Sequence, residues 1–260
     1  MNTIKVDLGS QKEFVNLYPL GDIHLGSSHF DKKKFEQYIK MVKNDENGVL
    51  ILNGDLINNA IKTSVSDIYT DTMSPENQLD MLYEYLLPIK DKVIGCTTGN
   101  HEERTYRLTG IDVSKNLCYR LGIEDLYSPI ANIIFLSFGK SRGRDNIRNT
   151  FSIYHSHGVG GGRTVGAKAN SVKRMSEIVH ADIYIHSHTH VPMAFKSNYV
   201  MSNCSNKGIK EITRLFANTQ SYEAFGGYGE RMLLTPTNND GVVITLWADA
   251  KGNKKTRGSV

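Results

Sequence analysis

Short apolar runs alternate along the chain with stretches of helical periodicity. Apolar runs bounded by polar turn residues are typical of buried strands. On this basis we predict strands at Phe14 to Leu20, Val49 to Leu52, Lys92 to Thr97, Ile133 to Phe138, Phe151 to Tyr154, Ile183 to Ile185 and Val242 to Trp247. Because such strands alternate with helical segments, the pattern indicates an α/β or layered α+β fold.

The polar and apolar spacing also predicts three helices. Asp31 is a suitable N-cap for the first helix, whose apolar positions share one face. Those positions are Phe35, Tyr38, Ile39 and Val42. Ser74 and Pro75 are typical of the cap and first turn of a second helix. A third helix is expected between Lys168 and Val179.

Composition limits the number of domains. The chain has 260 residues, of which 39% are hydrophobic, and this is enough for one large core. We predict a single domain over residues 1–250, because no internal repeat and no Pro- or Ser-rich linker interrupts the sequence. Residues 251–260 are rich in Lys and Arg and are expected to form a flexible, solvated tail.

The cysteine pattern and the hydropathy of the chain predict its cellular compartment. Cys96, Cys118 and Cys204 are widely spaced and odd in number, which argues against a disulfide framework or a structural zinc site. The N-terminus lacks the apolar run of a signal peptide, and no segment approaches about 18 apolar residues. We therefore expect a cytoplasmic protein without membrane contact. A formal charge of +4 permits a nucleic acid partner without requiring one, and the oligomeric state stays open.

Side chains that commonly bind metals follow five of the predicted strands, at the point where each strand ends. Such positions are where catalytic groups usually gather, because a rigid sheet holds the loops. In chain order these residues are Asp22 with His24, Asp55, Asn100 with His101, His155, and His188 with His190. Their placement predicts one shared site that combines carboxylate, imidazole and carboxamide groups.

Each of these segments also has a simpler explanation. A Gly-Asp pair usually forms a turn, and Asn100 can be a turn residue as well. A lone histidine such as His155 is more often structural than a ligand, and the run from His186 to His190 can bind a metal adventitiously. These explanations do not account for the position of every such group directly after a predicted strand, so we favour the metal site.

Taken in order, the segments Gly-Asp-Ile-His, Asn-Gly-Asp, Gly-Asn-His-Glu, a strand-ending His and Ser-His-Thr-His resemble the five-block signature of the calcineurin-like metallophosphoesterases. The resemblance spans Asp22 to His190. It implies an α+β fold with α/β/β/α layers, in which two mixed β-sheets form a sandwich flanked by helices and a dimetal site lies at one edge. The last block usually begins with Gly, where this chain has Ser187. Extra histidines leave the roles of His157 and His186 open.

The resemblance also implies two groups of metal ligands joined by a bridging carboxylate. One ion would be held by Asp22, His24 and His190, the other by Asn100, His155 and His188, and Asp55 would bridge them. Such a set of nitrogen and oxygen donors suits Mn, Fe, Zn or Ni, with Mn as first choice. Two ions about 3.5–4 Å apart lower the pKa of a bridging water, so the expected nucleophile is a metal-bridging hydroxide.

Residues beside the proposed ligands are candidates for further roles. His101 is free to protonate the leaving alkoxide, which typically contributes about 10²–10⁴-fold in rate, or alternatively to orient a ligand. Glu102 and Glu103 can orient imidazoles through hydrogen bonds, and Arg104 can contact phosphate or a structural carboxylate. For these three residues a structural role is favoured over these roles in the site.

The glycine-rich segment 158–162 lacks the Lys-Ser/Thr ending of a P-loop, which argues against a nucleotide-binding kinase. Its glycines allow the backbone to approach a ligand closely. Arg163 and Lys168 follow it and are candidates for binding substrate phosphates, the alternative being a solvated basic helix.

The sequence leaves more than one class of substrate open. We expect a phosphodiesterase or nuclease that acts on a phosphate ester. Nucleic acids and nucleotides are among the candidate substrates. A phosphomonoesterase, either a protein or a small-molecule phosphatase, is the first alternative. A non-catalytic binding protein of the same fold is the second, and it would predict eroded ligands, which this sequence does not show.

Overall fold

The computed structural model describes residues 1–62, 64, 68–142, 147–203, 208–226, 230, 241–248 and 253–260. Its strands form two six-stranded sheets. The first sheet has the spatial order β1 (Asn2–Asp7), β6 (Ala131–Arg142), β7 (Ile147–Ser156), β8 (Ile183–His186), β10 (Gly208–Asn218) and β9 (Met193–Asn203). The second has the order β12 (Lys254–Ser259), β11 (Val243–Ala248), β2 (Phe14–Leu20), β3 (Gly48–Asn53), β4 (Val93–Thr97) and β5 (Tyr127–Ser128).

Five α-helices accompany the sheets within the described residues. They are α1 (Lys32–Asn44), α2 (Pro75–Leu86), α3 (Asn100–Thr109), α4 (Val113–Leu121) and α5 (Val165–Ile178). Short 3₁₀ helices at Leu87–Lys92 and Glu124–Leu126 lead into β4 and β5. Both sheets mix parallel and antiparallel pairs, which confirms the predicted layered fold of two mixed sheets with flanking helices.

The central hydrophobic core lies between the two sheets. Alternate residues of a strand face opposite sides, so every second residue of a strand can enter this layer. Leu17 and Ile51 enter it from the second sheet, and Ile134, Ile153 and Ile183 enter it from the first; all five are fully buried. Each such side chain stabilises the fold by about 1.5–3 kcal/mol relative to exposure.

Helices cover the outer faces of both sheets. The predicted apolar face of α1 is buried against the second sheet, and α2 and α4 complete that layer. Asp31 and Ser74 cap α1 and α2 as expected, because each side chain accepts a backbone N–H of the first turn. On the first sheet, Val172 and Met175 of α5 pack against Tyr184 and Phe216 of the strands below.

Strands that run in parallel end at the same edge of their sheet. This holds for β2, β3 and β4 in the second sheet and for β7 and β8 in the first. The two edges meet at Asn53, the last residue of β3, whose amide donates hydrogen bonds to the Ser156 carbonyl and the Ser187 hydroxyl. Loops from five strand ends therefore converge on one place.

The expectation of a flexible tail over residues 251–260 is wrong for the part of that segment that the structure describes. Lys254–Ser259 forms β12 and pairs antiparallel with β11, from Val243 opposite Ser259 to Ala248 opposite Lys254. The segment is polar, but backbone pairing at a sheet edge needs no apolar side chains, so composition alone did not reveal it. Residues 251–252 lie outside the described residues, as does Cys204, whereas Cys96 and Cys118 are buried free thiols.

Within the described ranges, none of the helices is both long enough and apolar enough to span a bilayer.

Candidate metal centre

Three overlapping groups of potential ligand atoms lie at the shared edge, with the atoms of each group within 4.8 Å of one another. The groups are Asp22, His24 and His190; His24, Asp55 and His101; and Asp55, His157 and His188. Asp55 and His24 each belong to two groups, so the clusters form one continuous site. Both carboxylates are almost fully buried.

The first half of the site lies after β2 and β8. Nε2 of His24 is 3.2 Å from Nε2 of His190, and Nε2 of His190 is 3.6 Å from Oδ1 of Asp22. Oδ2 of Asp55 is 4.0 Å from Nε2 of His24. The structure thus brings together the ligands expected for one ion.

The second half of the site shares Asp55 with the first. Nε2 of His157 lies 3.3 Å from Oδ2 of Asp55 and 3.1 Å from Oδ1 of Asn100. Nδ1 of His188 lies 2.8 Å from the same Asn100 oxygen. Asp55 therefore lies between two groups of donors. The first consists of Asp22, His24 and His190, and the second of Asn100, His157 and His188.

His157, rather than His155, lies in this second group, which differs from the donor set that the resemblance implied. His155 still belongs to β7, where it pairs with Asn132, and its fully buried ring points into the fold. Its Nε2 accepts from the Asn132 amide at 3.1 Å and its Nδ1 donates to the Asn53 side chain at 3.0 Å, so both nitrogens are engaged. The ring of His157 donates from Nδ1 to the Asn53 carbonyl at 2.8 Å, which leaves Nε2 for the site.

Five of the candidate ligands have a left-handed backbone conformation. The φ angles are 51° for Asp22, 50° for His24, 49° for Asp55, 64° for His188 and 58° for His190. Among the described residues the only other non-glycine residue with positive φ is Asn59. This conformation is unfavourable for most residues and clusters at functional sites, where the surrounding structure enforces it. The strain therefore marks the same residues as the ligand geometry.

Two glycines let the Asp55 and Asn100 loops approach each other closely. A Cβ atom added to Gly54 would lie 2.5 Å from the Gly99 nitrogen, and one added to Gly99 would lie 2.1 Å from the Asp55 nitrogen. Either contact is too short for a real side chain. The glycines of the Asn-Gly-Asp and Gly-Asn-His segments are thus required by backbone-to-backbone packing, and not only by turn geometry.

Glu102 holds the Asp55 loop in place. Its buried carboxylate accepts hydrogen bonds from the backbone N–H groups of Asp55, Leu56, Ile57 and Gly99, at 2.6–3.1 Å. The hydrogen bonds of Glu102 therefore come from backbone groups rather than from imidazoles, in keeping with the structural role favoured from the sequence. Glu103 is partly exposed and pairs with Arg107.

His101, at the start of α3, faces the site without belonging to either half. Its Nδ1 donates to the Asn58 carbonyl at 2.7 Å, which directs Nε2 towards the site, 3.9 Å from Oδ2 of Asp55. The ring packs edge-on against that of His24, with centroids 4.4 Å apart. This is an arrangement in which one nitrogen is fixed and the other can exchange a proton with a bound molecule.

The three candidate substrate contacts are placed differently from one another. Arg104 of α3 donates to the Ser64 hydroxyl at 3.3 Å. Arg163 is exposed just before α5. Lys168 reaches back to the metal-ligand loop, where its Nζ donates to the Thr189 carbonyl at 2.9 Å, between His188 and His190.

Thr219 and Asn53 support the site through hydrogen bonds to its carboxylate and histidine side chains. The Thr219 hydroxyl lies 3.0 Å from Oδ2 of Asp22, and the His188 N–H donates to Oδ1 of the same carboxylate at 3.0 Å. Thr219 follows β10, a strand that the sequence analysis did not predict, so its position at another strand end passed unnoticed. Asn53, by contrast, stands in the recognised Asn-Gly-Asp segment.

Burial sets most of the histidines up as neutral ligands. It lowers the pKa of His24 and His190 to about 3 and that of His188 to about 4. For His157 burial acts in the same direction, but the adjacent Asp55 carboxylate outweighs it and raises the pKa to about 10. Burial also raises the pKa of Asp22 to about 8, whereas His157 and His101 hold the pKa of Asp55 well below its usual value despite burial.

The donor set fits divalent metal ions. Asp22 and Asp55 are buried, and the ion pairs of the described residues give them histidine partners and no Lys or Arg. Buried carboxylates are costly unless a cation compensates them. Imidazole, carboxylate and carboxamide donors without thiolate are the ligands of Mn, Fe, Zn and Ni.

A groove of about 1410 Å³ opens from the Asn100 and His157 side of the site. It runs between α3 and α4 on one side and α5 on the other. Its walls include the exposed aromatic rings of Tyr106 and Tyr119 and the exposed side chain of Val159. The acidic residues of the lining are Glu102, Glu103, Asp112, Glu124 and Glu177, and the Lys and Arg residues are Lys115 and Arg174.

The fold and the site together define the class of protein. The fold is an α/β/β/α sandwich, and a buried set of nitrogen and oxygen donors suited to two cations lies at its edge. Comparison with known families agrees, since the calcineurin-like phosphoesterase family matches residues 18–192. The chain therefore belongs to this family, which implies a phosphate-ester substrate.

Solved structures resemble the chain at low sequence identity. Vps29 from Chaetomium thermophilum is 11% identical, with 95% of this chain and 96% of that chain covered and a TM-score of 0.40. A conserved uncharacterized protein from Streptococcus pneumoniae TIGR4, a predicted phosphoesterase, is 13% identical, with 95% and 98% covered and a TM-score of 0.35. The search of curated proteins found no significant match.

Proposed function

We propose that this protein is a dimetal phosphodiesterase. The observation that carries the proposal is the meeting of six donor side chains around Asp55. Asp22, His24 and His190 would hold one ion, Asn100, His157 and His188 would hold the other, and Asp55 would contact both. When bound, two such ions activate water and neutralise charge on the phosphoryl oxygens.

The protein's own contribution is to orient donors and to move a proton. His101 is held through Nδ1 by the Asn58 carbonyl, so its Nε2 faces the place where a phosphoryl group would bind. A protonated His101 would donate from Nε2 to the departing alkoxide oxygen. Glu102 fixes the backbone that carries Asp55 and leaves its own carboxylate out of the chemistry.

The groove supports a diester with an apolar or aromatic group. It begins at two proposed ligands and offers tyrosine rings, which bind flat apolar groups well. Its lining carries more carboxylates than cations, and such a surface repels a polyanion. Of the candidate substrates we therefore favour a small phosphodiester over a polynucleotide. Mn remains our first choice of metal for the nitrogen and oxygen donors.

A substrate panel tests this proposal. Protein reconstituted with Mn should hydrolyse bis(4-nitrophenyl) phosphate faster than 4-nitrophenyl phosphate and faster than single- or double-stranded oligonucleotides. Asp55→Asn should abolish turnover, and Tyr106→Ala should raise KM for the diaryl substrate. A preference for the monoester would favour the phosphomonoesterase alternative. No turnover after loading with Mn, Fe, Zn or Ni would favour the non-catalytic alternative.

A further inference from the structure

A second cavity, of about 920 Å³, lies on the outer face of the first sheet. It is lined by His180, Ala181 and Asp182, which precede β8, whereas the ligands His188 and His190 follow that strand. The cavity is therefore at the opposite end of β8 from the metal centre. The C-terminal half of α5 and residues of β9 and β10 complete its walls.

Arg214 of β10 is the central feature of this cavity. Its side chain belongs to a residue only 6% exposed, and its guanidinium carbon lies 4.4 Å from the centroid of the Tyr199 ring. Nη2 donates to Nδ1 of His180 at 2.9 Å, and Nε is buried without a hydrogen-bond partner. Across the described part of the chain, no carboxylate forms an ion pair with Arg214. A buried charge of this kind is costly unless an opposite charge is bound.

The other charges around the cavity leave it cationic. Lys173 and Arg174 line it from α5, against Glu177 and Asp182. The Asp182 carboxylate is already engaged, since it accepts from the Ser152 N–H at 2.8 Å and lies 2.6 Å from Nζ of Lys254. The positive charge of Arg214 is thus not offset by Asp182.

The rest of the lining combines apolar side chains with the polar side chains of Ser152, Asn170 and Ser176. Val200, Met201 and Ile212 form the apolar part with the Tyr199 ring. Because arginine only donates, Nδ1 of His180 must accept, and its Nε2 therefore carries a hydrogen. A concave site of this size, with apolar walls and a few converging polar groups, is typical of small-molecule binding.

We propose that this cavity binds a small organic phosphate, with the anionic head against Arg214 and His180 and the apolar body against Tyr199 and Met201. Arginine suits such a head because its planar fork matches phosphate oxygens. The exposed side chains of Lys173 and Arg174 add two further positive charges to the lining. None of the proposed metal ligands lines the cavity, although Arg174 and Glu177 also line the groove that opens from the metal centre.

Binding of phenylphosphonate to the metal-free full chain tests the proposal, because removal of metal keeps the probe away from the catalytic centre. Calorimetric titration gives affinity, and two-dimensional NMR gives the location. We expect perturbed signals from Tyr199, His180 and Arg214, with weaker binding of inorganic phosphate, which lacks the apolar body, and none of benzyl alcohol, which lacks the charge. Arg214→Gln should weaken phenylphosphonate binding at least about tenfold, the usual scale for a lost charge-assisted hydrogen bond.

Because Arg214 is buried, exposed variants provide a second measurement. Lys173→Gln should weaken binding by a smaller factor, whereas Lys33→Gln on α1, which does not line the cavity, should leave it unchanged. The proposal would be overturned by unchanged affinity in both Arg214→Gln and Lys173→Gln. It would also be overturned by equal binding of benzyl alcohol, by signals confined to the metal ligands, or by no saturable binding at millimolar concentrations.

Discussion

Oε2 of Glu102 accepts the backbone N–H of Asp55 at 3.1 Å, so a buried carboxylate in α3 fixes the residue that joins the two halves of the metal site. The same side chain binds the two following N–H groups, at Leu56 and Ile57, and the Gly99 N–H of its own loop. Asp55 itself has a left-handed backbone conformation. Glu102 thus supplies part of the interaction energy that keeps this strained turn in place.

We predict that Glu102→Gln destabilises the protein and reduces its metal content. Glutamine retains one acceptor oxygen but turns an amide N–H₂ towards backbone N–H groups, which leaves buried donors unpaired. The free energy of unfolding should fall by about 2 kcal/mol or more in denaturant titrations. Glu103→Gln is the matched control, because that side chain is 45% exposed and forms a surface ion pair worth less than about 1 kcal/mol. Equal stability of the two variants would contradict the anchoring role.

The second prediction separates His157 from His155. His157→Ala removes an imidazole donor beside Asn100, so protein loaded with Mn should retain close to one ion per chain by elemental analysis. His155→Ala should retain both ions but lose about 2–4 kcal/mol of stability, because Asn53 and Asn132 lose a buried partner and a cavity forms. His155→Gln should be milder. Greater metal loss in the His155 variants than in His157→Ala would restore the sequence-based assignment.

The placement of His155 and His157 shows what strand prediction from sequence can and cannot supply. The apolar run Phe151 to Tyr154 revealed the strand, but β7 continues through Ser156, because His155 and Ser156 still pair with β6. Those two residues are polar, and their pairing partners are more than 20 residues away along the chain. The strand end, and with it the histidine that we propose as a ligand, therefore lies two residues further on than the pattern indicated.

Elements with strong local signals were predicted well. The buried face of α1 and the cap residues Asp31 and Ser74 depend on spacing and side-chain type within a few residues, and the structure confirms them. The strands β1, β9 and β12 were missed, because their polar residues are held by pairing with distant strands. The role of Glu102 was also beyond local analysis, since three of its partners come from another loop.

The third prediction concerns pH. In the metal-free protein the pKa of His157 is raised to about 10 and that of Asp22 to about 8, so both hold protons near neutral pH. A metal ion must displace these protons, and binding should therefore tighten as pH rises from about 6 towards 9. His24 and His190, with pKa values lowered to about 3, add no dependence in this range.

Calorimetry of Mn binding in two buffers of different ionisation enthalpy measures the released protons directly. We expect proton release near neutral pH, decreasing as the pH approaches the raised pKa of His157. An affinity that is flat across this range, with no buffer-dependent heat, would show that the site is already deprotonated without metal.

The fourth prediction tests His101 as a proton donor. His101→Asn keeps an amide near the Asn58 carbonyl but removes Nε2. The variant should retain both metal ions and lose about 10²–10⁴-fold in kcat on diesters with alkoxide leaving groups, which need protonation. Loss on bis(4-nitrophenyl) phosphate should be much smaller, because nitrophenolate leaves without a proton. A uniform loss across leaving groups would assign His101 a structural role, and loss of metal would make it a ligand.

The last prediction separates Lys168 from Arg163, which the sequence analysis treated alike. Lys168 donates to the Thr189 carbonyl and so steadies the loop that carries His188 and His190, whereas Arg163 is exposed before α5. Lys168→Met should therefore lower kcat/KM for a small diaryl diester by about tenfold, the scale of one charge-assisted hydrogen bond. Arg163→Ala should change it less than about twofold.

Oligonucleotides distinguish this structural role of Lys168 from a direct contact with substrate phosphates. A residue that binds a flanking phosphate contributes to the salt dependence of binding, and its removal reduces the slope of log K against log salt concentration by about one. We expect no change of slope in Arg163→Ala, because we propose a small diester as substrate. A different outcome is that both variants weaken oligonucleotide binding and flatten its salt dependence, while the small diester is hydrolysed normally. The basic segment would then contact a polyanion. In that case a nuclease would be a better proposal than a small-diester enzyme.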